Sequence, residues 1–133
     1  MLVGAGDNLF RFDLAAYLDD FDQGEGSLVL VSRETDRAKL SRSGVAEIDA
    51  SRRLVRLWEK PSDPPSEYCC PPLYLLDSAA ISQIGACRRA HPEADAPGNL
   101  IAWVAERELV RVYEMRGKRL DVGNAESYAS AEA

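Results

Sequence analysis

The sequence predicts an α/β domain, a mixed sheet with flanking helices. Three observations carry that expectation. Short apolar or alternating runs recur along the whole 133-residue chain, and helix-period stripes stand between several of them. One run, Ser27 to Ser32, is apolar nearly throughout. A strand of that kind must be covered on both faces, as happens when helices layer over a partly parallel sheet.

The elements follow in order. Leu2 to Gly6 is a short apolar strand, interrupted by a polar loop at Asp7-Asn8. Asp13 reads as a helix N-cap, because its carboxylate can accept from the unpaired amides of a first turn. Leu14, Tyr17, Leu18 and Phe21 then form one helical stripe that Gly24 and Gly26 close. Ser27 to Ser32 is the covered strand, and Arg33 to Ser43, polar and charged, reads as a loop. Gly44 to Asp49 and Arg53 to Trp58 alternate on either side of a turn, which makes a β-hairpin. Pro61, Pro64 and Pro65 mark an extended loop, and Leu73 to Leu76 is a further strand. Ser78 is placed to cap a helix carrying Ile81, Ile84 and Cys87, and Pro97-Gly98-Asn99 leads into another with Leu100, Ile101, Trp103 and Val104. Leu109 to Met115 alternates as a strand, Arg119 to Gly123 is a short one, and Asn124 caps a last helix containing Tyr128.

Composition narrows the function. With 46% hydrophobic and 29% charged residues the chain can bury a core, and the length suits one domain. No apolar run approaches the ~20 residues of a membrane span, and no signal sequence follows Met1. A net charge of −6 argues against nucleic-acid binding, which needs clustered Lys and Arg. Cys69, Cys70 and Cys87 have no zinc spacing, so the expected setting is a reducing cytoplasm and the expected role of Cys69-Cys70 is apolar packing. His91 is the sole histidine and precedes a proline, which speaks against a His-based triad or zinc site. Gly4-Ala5-Gly6 lacks the third glycine and helix start of a dinucleotide fingerprint.

Three places could carry chemistry. Asp7 follows a strand directly, where open α/β sheets line their ligand crevice, although such a residue more often turns the chain or caps an amide. Asp121, flanked by Leu120 and Val122, is costly to bury unless paired or bound to a cation, so a salt bridge and a metal ligand are both open. Two acids of this kind could hold one Mg²⁺ together with substrate phosphates. Glu59-Lys60-Pro61 closes a strand; the lysine could meet a phosphate and the glutamate sugar hydroxyls, while a solvated charge pair is the plainer use.

Taken in order, these segments resemble the sugar-phosphate nucleotidylyltransferases, which make nucleoside-diphosphate sugars. Gly6-Asp7-Asn8-Leu9-Phe10 resembles the family's glycine-aspartate-asparagine segment, and Ser43-Gly44-Val45 the tyrosine-glycine-valine segment beside the sugar. Glu59-Lys60-Pro61 matches the glutamate-lysine-proline motif, Leu73-Tyr74 the leucine-tyrosine strand, and Leu120-Asp121-Val122-Gly123 the closing aspartate motif. The resemblance implies the second half of a Rossmann-like nucleotidyltransferase domain, and transfer of a nucleotidyl group from a nucleoside triphosphate to a sugar-1-phosphate with release of pyrophosphate. A glucose-1-phosphate thymidylyl- or uridylyl-type enzyme is the implied kind. Asp7 and Asp121 would be Mg²⁺ ligands and, with Lys60, the catalytic set; Gly44, Glu59, Lys60 and Tyr74 would meet the substrate.

The departures are specific. Ser43 stands where the family often has an aromatic, Pro72 where it usually has glycine, and Asn124 where it has threonine. The glycine-rich, basic triphosphate signature of the family does not precede Asp7. Residues 1–133 are therefore expected to form a single partial domain without the N-terminal nucleotide-binding half, weak or inactive alone. A complementing N-terminal half or a homo-oligomer would cover the flank of the first strand. The alternative is a non-catalytic remnant that binds sugar phosphate or self-associates.

Overall fold

The computed structural model describes residues 1–6, 8–116 and 118–121. The expected helix at Asn124 and Tyr128 lies outside the described residues, as does Asp7.

Strand β1 (Leu2–Gly4) opens the chain, followed by β2 (Asn8–Arg11) and helix α1 (Leu14–Gln23). Asp13 caps α1 as expected, accepting from the Ala16 amide at 3.1 Å. Its apolar stripe is only partly used. Tyr17 is fully buried, whereas Leu14 and Leu18 are exposed. The helix is rolled so that the Tyr17 hydroxyl reaches the carbonyls of Leu28 and Leu73, both at 2.9 Å. Burial pushes this phenol well above its usual range, so it serves as a donor and not as an acid. At the far end of α1, Arg111 pairs with Asp20 at 2.8 Å and donates to the Glu25 carbonyl.

Strand β3 (Ser27–Arg33) is the axis of the sheet. Every residue from Ser27 to Val31 is buried, as the apolar run predicts. Alternation splits them between two cores. Leu28 and Leu30 pack with Tyr17, Leu75 and Met115, and Val29 and Val31 with the larger core on the other face.

The expected loop after β3 contains a turn of helix, α2 (Arg37–Leu40). Asp36 caps it, and Leu40 is buried against Val45 and Cys69. The hairpin is β4 (Gly44–Ile48) and β5 (Leu54–Glu59). Its turn is held by the Asp49 carboxylate, which accepts from the amides of Ser51 at 2.9 Å and Arg53 at 3.0 Å. Arg52 takes the left-handed conformation there, with φ 62°. The register shifts between Glu47 and Ile48, so Ile48 faces Leu54 while Glu47 faces Arg56. Val55 is therefore a bulge residue, and Leu54 and Leu57 both reach the core despite their spacing.

Two short strands follow, β6 (Tyr68–Cys69) and β7 (Leu73–Leu75). Both run antiparallel to β3, with Ser32 opposite Cys69 and Val29 opposite Tyr74. Between them lie Cys70, Pro71 and Pro72, and prolines cannot donate to a ladder. The interruption divides the sheet. β6 leads to β4 and β5, and β7 leads to β1, where Val3 faces Tyr74. Cys69, Cys70 and Cys87 are buried thiols.

The next helix is two: α3 (Ser78–Ser82) and α4 (Ile84–Ala90). Its cap is Asp77, not Ser78, since the Asp77 carboxylate accepts from Ala80 at 2.9 Å. The break falls at Gln83, whose amide oxygen accepts from the Trp103 indole at 3.1 Å. Helix α5 (Pro97–Ala105) starts with proline in its first turn and buries Ile101 and Val104 in the larger core. β8 (Val110–Glu114) pairs parallel to β3 on the edge opposite β7, and β9 (Lys118–Asp121) pairs antiparallel with β2. Sheet and helices together give the mixed α/β architecture predicted. Among the described residues no helix is long and apolar enough to cross a membrane.

The Tyr17 hydroxyl gives a test of the packing between α1 and the sheet. Tyr17→Phe keeps the ring and removes the one proton that the Leu28 and Leu73 carbonyls share, which should lower unfolding stability by about 1–2 kcal/mol. Urea unfolding measures this; a change below about 0.5 kcal/mol would show that the hydroxyl contributes little.

Candidate functional site

Hairpin pairing brings three of the expected residues together. Gly44, the first residue of β4, lies directly opposite Glu59, the last of β5. The Lys60 amide then donates to the Ser43 carbonyl at 3.0 Å, so the chain stays beside β4 for one more step. Lys60 takes a left-handed conformation, φ 48°. A non-glycine residue there is strained by roughly 1–2 kcal/mol, and strand alternation ends with it. The Gly44 carbonyl accepts from Cys70 at 2.8 Å, which joins this corner to the interruption between β6 and β7.

The Glu59 carboxylate rests between two backbones. Its Oε2 lies 2.2 Å from where a Cβ at Gly98 would be, and 3.8 Å from where one at Gly44 would be. The two methyls of Leu57 form the floor, at 3.4 Å from the Gly98 position and 3.7 Å from the Gly44 position. Leu57 and Glu59 are two apart and share a strand face. Although Glu59 as a residue is exposed, its carboxyl end is confined, and it is this end whose hydration sets acidity. Burial raises its pKa above the ordinary value, and the Lys60 charge beside it partly opposes that.

Gly98 belongs to the first turn of α5, which has no side-chain cap and no acidic residue of its own. Glu59 thus brings a carboxylate to that turn from a neighbouring strand. In the sequence, Pro97-Gly98-Asn99 signals a helix start. The signal for more was a glycine inside the first turn, where nothing about the backbone asks for one.

Of the two expected metal ligands, only Asp121 falls within the described residues. Asp121 ends β9, and its backbone is opposite Asn8, the residue that follows Asp7 in sequence. Asp7 itself lies outside the described residues. Among the described residues no group of three or more His, Cys, Asp or Glu could hold a metal. Asp7 and Asp121 are both carboxylates, hard oxygen donors of the kind Mg²⁺ takes together with substrate phosphates. Tyr74 lies in β7, 3% exposed, within the larger core. His91 is exposed and meets Trp103 edge-on with centroids 5.7 Å apart, away from these residues.

A family model described as nucleotidyl transferase matches residues 1–133. Among solved structures, a putative glucose-1-phosphate thymidylyltransferase from Bacillus anthracis, in complex with a sucrose, superposes with TM-score 0.82 and 32% identity. That match covers 98% of this chain and 52% of the other. A UTP-bound UGPase from Acinetobacter baumannii gives TM-score 0.79 at 19% identity, covering 98% of this chain and 48% of that one. An apo UDP-glucose pyrophosphorylase gives 0.80 at 20% identity, with 98% and 52% covered. These last two show a shared fold. The chain spans about half the length of the structures it matches.

Two measurements probe this corner. Lys60→Gly should melt at or above the wild-type temperature, because relief of left-handed strain offsets the looser unfolded chain; a clear drop would show that Lys60 is not strained. The raised pKa of Glu59 has a defined sign. The folded state holds its proton more tightly, so this group lowers stability as pH rises from 4.5 toward its folded value. Glu59→Gln should flatten that stretch of the stability profile, followed by urea unfolding between about pH 4 and 7. An unchanged slope would mean the carboxyl is fully hydrated.

Proposed function

The chain belongs to the nucleotidyl transferase family, and from that premise we propose that it carries the sugar-phosphate side of a sugar-1-phosphate nucleotidylyltransferase. The reaction is attack of a sugar-1-phosphate oxygen on the α-phosphorus of a nucleoside triphosphate, with pyrophosphate leaving. The observation that carries the reading is the corner where Gly44 faces Glu59 and Lys60 follows. There a confined carboxylate, a glycine backbone and a cation stand side by side, as a sugar with a phosphate requires.

Each residue has a role on this reading. The Glu59 carboxylate accepts from sugar hydroxyls, and the Gly44 backbone meets the sugar beside it. The Lys60 ammonium is a point charge for the sugar phosphate. Tyr74 is so enclosed that a substrate meets at most the edge of its ring. Asp7 and Asp121 would hold Mg²⁺, which when bound neutralises charge on the phosphates. Positioning of this kind supplies most of the rate in phosphoryl-type transfers. The sucrose and UTP named for two of the similar structures accord with sugar and nucleotide as partners.

A second reading is favoured by the half-length match. These residues by themselves would bind sugar phosphate without turnover. Calorimetry with α-glucose-1-phosphate and Mg²⁺ tests what the two readings share. Lys60→Ala should weaken binding about tenfold or more, as loss of a hydrogen bond to a charged group implies. Equal binding by both proteins would sink the proposal. Pyrophosphate release on adding UTP or dTTP then separates the readings, with little or no turnover expected from the chain alone.

A further inference from the structure

We propose that Gly98 is a positioning residue for Glu59: the missing side chain on the first turn of α5 lets the carboxylate settle between Gly98 and Gly44, in the orientation that meets a sugar hydroxyl. The inference rests on the sugar-phosphate reading above and adds a residue to it from a different element.

The geometry is one-sided. At the Gly44 position the nearest obstacle to a Cβ is the Cys70 carbonyl at 3.0 Å, and Glu59 Oε2 is at ordinary contact distance, 3.8 Å. At Gly98 the nearest atom is Glu59 Oε2 itself, at 2.2 Å, with its Cδ at 3.4 Å. No carbon and oxygen can share that space. The yielding group would be the end of a flexible side chain, since the other close atom is a Leu57 methyl at 3.4 Å. An alanine at this position would therefore leave the fold intact and swing the carboxylate out of its seat.

The backbone itself does not require a glycine here. Gly98 is helical and buried, and its φ is not in the left-handed region. Alanine would be the better helix former. The carboxylate lies beside the uncapped first turn of α5, where its loss of hydration outweighs the favourable end of the helix dipole. Confinement in that seat accounts for the raised pKa of Glu59.

The test has two arms. In the first, carboxyl ¹³C NMR follows the titration of Glu59, identified by its loss in Glu59→Gln. Wild type should titrate above the usual carboxylate range, and Gly98→Ala should return it toward 4.5 as the group moves into water. The same midpoint in both proteins would overturn the proposal. In the second, calorimetry with α-glucose-1-phosphate should show roughly tenfold weaker binding by Gly98→Ala. In a Glu59→Ala background the same change should cost nothing further, because the two residues act through one contact. Additive losses, or unchanged binding despite a moved titration, would also overturn it. If wild type does not bind the sugar phosphate, the functional reading fails, while the titration still decides whether Gly98 seats Glu59.

Discussion

Strand β3 is occupied on every side, and the rest of the chain is arranged by that constraint. Both faces bury apolar side chains, so α1 must cover one and the helices with β5 the other. Both edges carry ladders, parallel to β8 and antiparallel to β6 and β7. A strand held in four directions admits little change of register, because a one-residue slip would exchange its two cores. The Tyr17 hydroxyl adds a fifth tie by bonding to β3 and to the start of β7 at once.

The interruption at Cys70, Pro71 and Pro72 turns that scaffold into a site. One antiparallel run along β3 becomes two strands whose partners diverge. The β4–β5 hairpin grows from one and β1 from the other. The Gly44 carbonyl is tied to the interruption through Cys70, so the corner holding Glu59 and Lys60 is fixed where the sheet divides. Leu57 beneath the carboxylate is itself a core residue. The polar site thus rests on the interior with one side chain between them.

How much of this was readable from the chain depended on how local the cause was. β3, the hairpin and β8 are long enough for their periodicity to show, and Asp13 is a cap with a local partner. β2, β6 and α2 are two to four residues each and exist because of partners elsewhere in the chain, so polar composition disguised them. Ser78 and Asp77 are both competent caps, and only geometry chose Asp77. The exposed Leu14 and Leu18 belong to a stripe whose orientation Tyr17 decided. At the site, Gly44, Glu59 and Lys60 were legible as motif fragments. Gly98 was not, because its reason lies in a side chain from another element.

The bulge at Val55 has a consequence for how the hairpin is anchored. Its tip and its base are specified by different partners. At the tip, the Arg52 carbonyl accepts from Val112 at 3.0 Å and Arg53 bridges to Arg111, which fastens it to β8. At the base, Gly44 and Glu59 face one another. A bulge can absorb one residue of mismatch between two such ladders. The bulge therefore lets the tip keep its place on β8 and the base keep its glycine–glutamate pairing, although the two ladders differ in register by one residue.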